Sequence, residues 1–85
     1  MEVAEHKRVL RIGDALADAL AASEDPGAAL LLADIAPLLA RIRAGRDVPA
    51  PRTMPGYRFF IESGLPGDDT VRDLYHAWCD ALGCR

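Results

Sequence analysis

Aromatic residues are missing from the first two thirds of this chain. The chain has 85 residues, and none of those before position 57 is Phe, Tyr or Trp; all five of these aromatics follow: Tyr57, Phe59, Phe60, Tyr75 and Trp78. Aromatic side chains bury the largest area per residue and are prominent in cores and binding surfaces. The first half is built instead from Ala, Leu, Ile and Val. We therefore expect specific contacts with other molecules to lie after Gly56.

Excess positive charge and long apolar runs are also missing. Ten Lys and Arg residues against 13 Asp and Glu give a formal charge of −3, so no basic footprint for nucleic acid is present. The longest apolar run spans residues 28–33, whereas a membrane-spanning helix needs about 20. No signal-peptide pattern follows Met1, and two cysteines fit a reducing compartment as free thiols. We expect a cytoplasmic protein with no nucleic-acid or membrane partner.

No catalytic constellation can be assembled from the sequence. The chain has two serines, Ser23 and Ser63, and neither stands in a recognisable nucleophile motif. No phosphate-binding or dinucleotide-binding loop is present. Asp68 and Asp69 precede a helix, where capping is the ordinary role of a carboxylate. The sequence therefore predicts a protein that is not an enzyme and has no cofactor.

His76, Cys79 and Cys84 form an incomplete set of metal ligands. His76 and Cys79 lie one helical turn apart, and Cys84 follows five residues later. A structural zinc site usually needs four ligands, and only His6 could add one without using carboxylates. We expect no metal. A small metal- or thiol-dependent protein using His76 and Cys79 remains an alternative.

Apolar residues at steps of three and four predict two helices in the first half. The first spans Val3 to Ala22. The second runs from about Pro26 to Ala44, with Asp25 as its cap and Pro26 at its first position, and Gly45 ends it. Its wide apolar stripe, which includes Leu31, Ile35, Leu38 and Ile42, is typical of the central helix of a bundle.

Two residues interrupt these helices. Gly13 sits at the edge of the first apolar stripe, where a missing side chain allows another helix to approach. Pro37 removes a backbone hydrogen bond and presses on the preceding turn, so we expect a kink or a split between Ala33 and Ala36.

The second half begins with a loop at 45–56, which contains Pro49, Pro51 and Pro55. Apolar and polar residues alternate over 57–62, as in a strand. Because the chain offers no second strand to pair with, a helical turn is favoured. A strand paired across a homodimer stays open as an alternative. A last helix spans about Thr70 to Leu82, capped by Asp69 or Thr70 and ended by Gly83.

The predicted fold class is all-α, in a single domain over 1–85. Three main helices, the second kinked at Pro37, form a small bundle with a short aromatic helical turn or strand at 57–62.

Rings beside arginines after Gly56 indicate a surface that binds another protein. We expect the contact at five positions: Arg52, Tyr57, Arg58, Phe60 and Asp68. The predicted function is a small non-catalytic protein of the inhibitor, immunity or adaptor type. A structural homodimer or subunit of a larger complex, paired through the leucine stripe of the second helix or through 57–62, is the other alternative.

The last third contains Phe59-Phe60, the acidic turn Gly67-Asp68-Asp69, and a helix with Val71 and Trp78 that ends in Ala81-Leu82-Gly83. With these residues it resembles the small immunity proteins that neutralise bacterial nuclease toxins of the colicin and pyocin type. The resemblance implies a four-segment helical fold and inhibition by protein binding. That family uses an acidic second helix and a tyrosine pair, whereas here the second helix is Leu-rich with Arg41 and Arg43, and the pair is Phe.

Overall fold

The computed structural model describes residues 3–46 and 50–84, and it confirms the all-α fold class. Four α-helices follow one another: α1 (Val3–Ala22), α2 (Pro26–Arg43), α3 (Tyr57–Ile61) and α4 (Asp69–Leu82). A 3-10 turn (Leu65–Gly67) joins α3 to α4. Within the described ranges no residue forms a strand, so residues 57–62 adopt the helical alternative and the strand alternative is wrong.

The first helix, not the second, is the centre of the bundle. α1 packs against both α2 and α4, while α3 packs on α2 and on the 3-10 turn. All three main helices meet at the buried Gly13. A Cβ built there would lie 2.5 Å from Leu39 Cδ2 on α2 and 2.8 Å from Trp78 Nε1 on α4. The expected close approach of another helix at Gly13 is therefore confirmed.

The ends of α2 form as the sequence predicts. Asp25 caps the helix, Pro26 occupies its first turn, and Gly45 follows it with φ +75°. The helix continues without interruption through Pro37. Of the expected kink or split, the split is therefore wrong, and the kink stays a prediction. Pro37 and Ala33 both lie on the exposed side, where the carbonyl freed by proline can be hydrated and the helix need not break.

The start of α4 corrects one expectation. Asp68, rather than Asp69 or Thr70, is the cap, because its side chain accepts a hydrogen bond from the Val71 N–H at 3.2 Å. Gly83 ends the helix with φ +78°, as predicted. In the predicted loop, residues 50–56 are irregular, while residues 47–49, including Pro49, lie outside the described residues.

Candidate functional site

Two close contacts place α3 along the first half of α2. Gly56 lies against Leu31 and Asp34, and a Cβ added to Gly56 would collide with the Leu31 side chain. Seven residues after Gly56, Ser63 lies against Gly27, and a Cβ added to Gly27 would collide with the Ser63 Cβ. Gly56 also has φ +68°, a conformation that glycine adopts without steric cost. The chain from Gly56 to Ser63 therefore runs antiparallel to the start of α2.

Asp25 joins the end of α3 to the start of α2. Its Oδ1 accepts a hydrogen bond from the Gly27 N–H at 2.8 Å, and its Oδ2 accepts one from the Gly64 N–H at 2.9 Å. Ser63 Oγ donates to the Phe60 carbonyl at 2.7 Å and accepts from the Leu65 N–H at 3.1 Å. These bonds fix the turn after α3, and with it the orientation of the whole short helix.

Phe60 anchors α3 in the core. Its side chain is only 4% exposed, and its ring centroid lies 4.4 Å from that of Tyr75. The Tyr75 hydroxyl donates to the Pro55 carbonyl at 2.7 Å, which fixes the segment just before α3. The expectation that Phe60 contacts a partner is therefore corrected, because an amphipathic turn this short must bury its largest inward ring to be stable at all.

The outer side of α3 remains exposed. Tyr57 is 46% and Ile61 50% exposed, and these two residues lie one turn apart on the helix. Arg58 stands between them in sequence and pairs with Glu62 at 3.4 Å, with both side chains largely in solvent. We call Tyr57, Arg58 and Ile61 the α3 surface. Two of its members, Tyr57 and Arg58, are among the sequence-predicted contact residues.

An open groove separates α3 from the start of α2. It encloses about 470 Å³ and is lined chiefly by Asp25, Leu30, Phe59, Glu62, Ser63 and Gly64. Leu30 is 54% exposed, and Phe59 is half-buried. Both oxygens of Asp25 already accept backbone hydrogen bonds. The groove therefore offers mainly apolar surface, which suits an apolar side chain better than a charged ligand.

The two other predicted contact residues lie away from the α3 surface in sequence. Arg52 is exposed in the irregular segment before α3. Asp68 is half-buried with its carboxylate engaged as the cap of α4. Sequence reasoning missed Leu30 and Ile61. For Leu30 a signal existed, because three successive leucines at 30–32 on one helix cannot all face the same core.

The arrangement around Cys79 disfavours thiol chemistry. Cys79 is 3% exposed, and burial, followed by the nearby Cys84, raises the pKa of its thiol well above the usual range. A nucleophilic cysteine needs the opposite shift. His76 is exposed and lies edge-on to Phe60, 6.1 Å between ring centroids. In the part of the chain that the structure describes, no three His, Cys, Asp or Glu side chains are grouped to hold a metal ion.

The leucine stripe of α2 is not available for pairing. Leu31, Ile35, Leu39 and Ile42 are all 2% exposed or less, because they form the core with α1 and α4. The expectation that this stripe pairs with a second copy is corrected. Among the helices described, none is long and apolar enough to cross a membrane.

Comparison with protein-family models, with curated proteins and with solved structures gives no match for this chain. The resemblance of the last third to immunity proteins thus remains a prediction.

Proposed function

We propose that this protein is a small non-catalytic cytoplasmic domain that binds another protein through the α3 surface and the adjoining groove. One observation carries the proposal. The large hydrophobic residues that stay exposed in the described chain are Leu30, Tyr57 and Ile61, and all three lie on α2 or α3, two helices that pack against each other.

The composition of this surface supports binding of a protein rather than of a small polar ligand. Tyr and Arg are enriched among residues that dominate interface energetics, and Tyr57 and Arg58 are adjacent. Completing the burial of an apolar side chain contributes up to about 1.5–3 kcal/mol. The exposed Arg58–Glu62 pair contributes little to folding, so Arg58 is free to exchange Glu62 for an acidic group of a partner.

The rigidity of the surface is a further reason. The Asp25 bonds to Gly27 and Gly64 and the Tyr75 bond to Pro55 fix both ends of α3. A surface held in its binding geometry loses less side-chain and loop entropy on association. The free thiols of Cys79 and Cys84 are consistent with the reducing cytoplasm.

The test replaces the two exposed apolar residues of α3 together. Tyr57→Ser with Ile61→Ser removes two contacts from the surface and leaves Phe60 and the core in place. The matched control is Arg11→Ser with Ala15→Ser, an exposed pair with the same one-turn spacing on α1. Thermal unfolding followed by circular dichroism verifies that both variants remain folded.

The readout is quantitative capture of proteins from the native cell extract by each tagged variant. We expect the α3 variant to capture at least about tenfold less of the specific partner than the wild type, equivalent to about 1.4 kcal/mol or more of binding free energy. The control should capture as much as the wild type. Equal capture by a folded α3 variant and by the wild type would refute the proposed surface.

A further inference from the structure

The exposed face of α2 differs from the exposed faces of the other long helices. It consists of small or apolar residues: Ala29, Leu30, Ala33, Ala36, Pro37 and Ala40. Between residues 26 and 40 the one charged residue is Asp34. By contrast, charged residues recur along the exposed side of α1, including Lys7, Arg11 and Asp18, and along that of α4. A helix that is apolar on all sides is normally covered on all sides.

We propose that a second copy of this chain covers this face, with the two α2 helices packed antiparallel about a twofold axis near Pro37. Small side chains allow two helix axes to approach to about 8 Å. The face runs from Ala29 to Arg41, about 18 Å along the axis, and it is continuous with Leu30 at the edge of the groove. The inference goes beyond the proposed function and does not depend on it.

Charge complementarity favours a second copy of the chain as the partner and favours the antiparallel direction of its α2. Asp34 and Arg41 are exposed, lie seven residues apart on the same edge of the face, and form no ion pair with each other or with other described residues. An antiparallel twofold axis keeps each edge on its own side and reverses the order of residues. With the axis between Pro37 and Leu38, each Asp34 meets Arg41 of the other copy.

A parallel pairing lacks this match. A twofold axis parallel to the helices carries the charged edge to the opposite side of the pair. Asp34 and Arg41 of one copy then face the uncharged edge of the other copy, at Ala29 and Ala36, and meet no opposite charge. The antiparallel arrangement instead gives two equivalent Asp34–Arg41 pairs with an apolar centre between them.

The dimer is expected to be weak and reversible. Two faces of this length bury less than the roughly 1,200 Å² of a standard interface. Self-association should therefore appear only as the protein concentration rises. Sedimentation velocity from about 10 µM to about 1 mM spans the corresponding affinities.

Charge exchange tests the proposed register. Asp34→Arg and Arg41→Asp each place two like charges opposite each other, so each single variant should raise the concentration at which half the protein is dimeric by about tenfold or more. Asp34→Arg with Arg41→Asp in one chain restores both pairs and should restore dimerisation. The matched control exchanges Arg11 and Asp18, which are exposed on α1 at the same seven-residue spacing and should have no effect.

Two results would overturn the proposal. Wild-type protein that stays monomeric over the whole range excludes a second copy as the occupant. Dimers that form equally well with either single exchange place the interface elsewhere. A crosslink provides a second measurement: in a Cys84→Ser background, Pro37→Cys should form a disulfide between copies under mild oxidation, since it lies by the axis. Ala29→Cys should not, and equal crosslinking at both positions contradicts the antiparallel register.

Neither result depends on the α3 surface. Tyr57 and Ile61 are intact in every variant of this experiment, and the α2 face is intact in the variants that test partner capture. A variant that loses partner capture but still dimerises, or the reverse, therefore shows which surface carries out which interaction.

Discussion

Asp25 hydrogen-bonds to the backbone of Gly64, 39 residues away in sequence, at 2.9 Å. The other oxygen of the same carboxylate caps α2 at the Gly27 N–H. One side chain thus caps its own helix and also links that helix to the turn after α3. Gly64 has no Cβ to keep the carboxylate away, since an added Cβ would lie 2.5 Å from Asp25 Oδ2.

Because Asp25 makes both bonds, we expect its substitution to destabilise the protein more than the loss of an ordinary helix cap. Loss of an ordinary N-cap destabilises a protein by about 1 kcal/mol. Asp25→Ala also removes the bond to Gly64, so we expect a decrease of about 2 kcal/mol in the free energy of unfolding. Asp68→Ala, which removes one capping bond from α4, is the control and should cost about half as much. Urea denaturation measures both, and equal costs would show that the Gly64 bond contributes nothing.

The meeting point of the three long helices at Gly13 gives a second prediction. Gly13→Ala gains up to about 1 kcal/mol of helix propensity. It also forces Leu39 and Trp78 to move, because the new Cβ falls 2.5 Å and 2.8 Å from their nearest atoms. Overpacking of this kind costs about 1–3 kcal/mol, so we expect a net loss of stability.

Gly67→Ala is the matched control for Gly13→Ala. A Cβ at Gly67 meets no atom within 4 Å, so its substitution should leave the melting temperature nearly unchanged. A Gly13→Ala variant as stable as the wild type would mean that moving Leu39 and Trp78 costs no more than the gain in helix propensity.

The sequence predicts those parts of the fold that depend on local signals. Helix periodicity and the residues Asp25, Pro26, Gly45 and Gly83 define the long helices, because capping and φ preferences act within one or two turns. It also identifies Gly13 as a packing position. The cap of α4 is displaced by one residue, because Asp68, Asp69 and Thr70 are all good caps and only the tertiary packing of the preceding turn selects Asp68.

The candidate site is less predictable, since exposure depends on contacts between distant segments. Tyr57, Phe59 and Phe60 are similar in sequence terms, yet only Phe60 turns inward to stack on Tyr75. The bonds that orient α3, from Asp25 to Gly64 and from Tyr75 to Pro55, connect residues 39 and 20 positions apart. No local pattern encodes such pairs. The run of leucines at 30–32 indicates that one of them faces away from the core, but only the folded chain identifies Leu30 and Ile61 as the exposed residues.

The hydrogen bond from Tyr75 to the Pro55 carbonyl predicts a specific effect on the segment before α3. Tyr75→Phe keeps the buried ring and its contact with Phe60 but removes this bond. We expect the free energy of unfolding to fall by about 1 kcal/mol and residues 50–56 to open more readily. Tyr57→Phe is the control, because Tyr57 is nearly half exposed and its hydroxyl can bond to water.

Limited proteolysis, with cleavage mapped by mass spectrometry, distinguishes the two tyrosine variants. Faster cleavage confined to residues 50–56 in Tyr75→Phe alone is the expected result. The same cleavage rate in both variants would indicate that other contacts fix this segment.

The buried Cys79 thiol predicts a loss of stability in alkali. Burial first, and then the nearby Cys84, raise the pKa of Cys79 above its ordinary value of 9.0. Above about pH 9 the unfolded chain therefore releases this proton while the folded chain retains it. Because the unfolded state then binds fewer protons, the free energy of unfolding falls as pH rises, by up to about 1.4 kcal/mol per pH unit for one such group. Tyr75, whose pKa is raised above 10.0 mainly by burial, adds to the fall above about pH 10.

Urea denaturation at pH 8, 9 and 10 under reducing conditions measures the slope of the free energy of unfolding against pH. Cys79→Ala should lower stability at pH 8 but flatten the decline between pH 9 and 10, and a variant with the wild-type slope would show that the thiol is not its source.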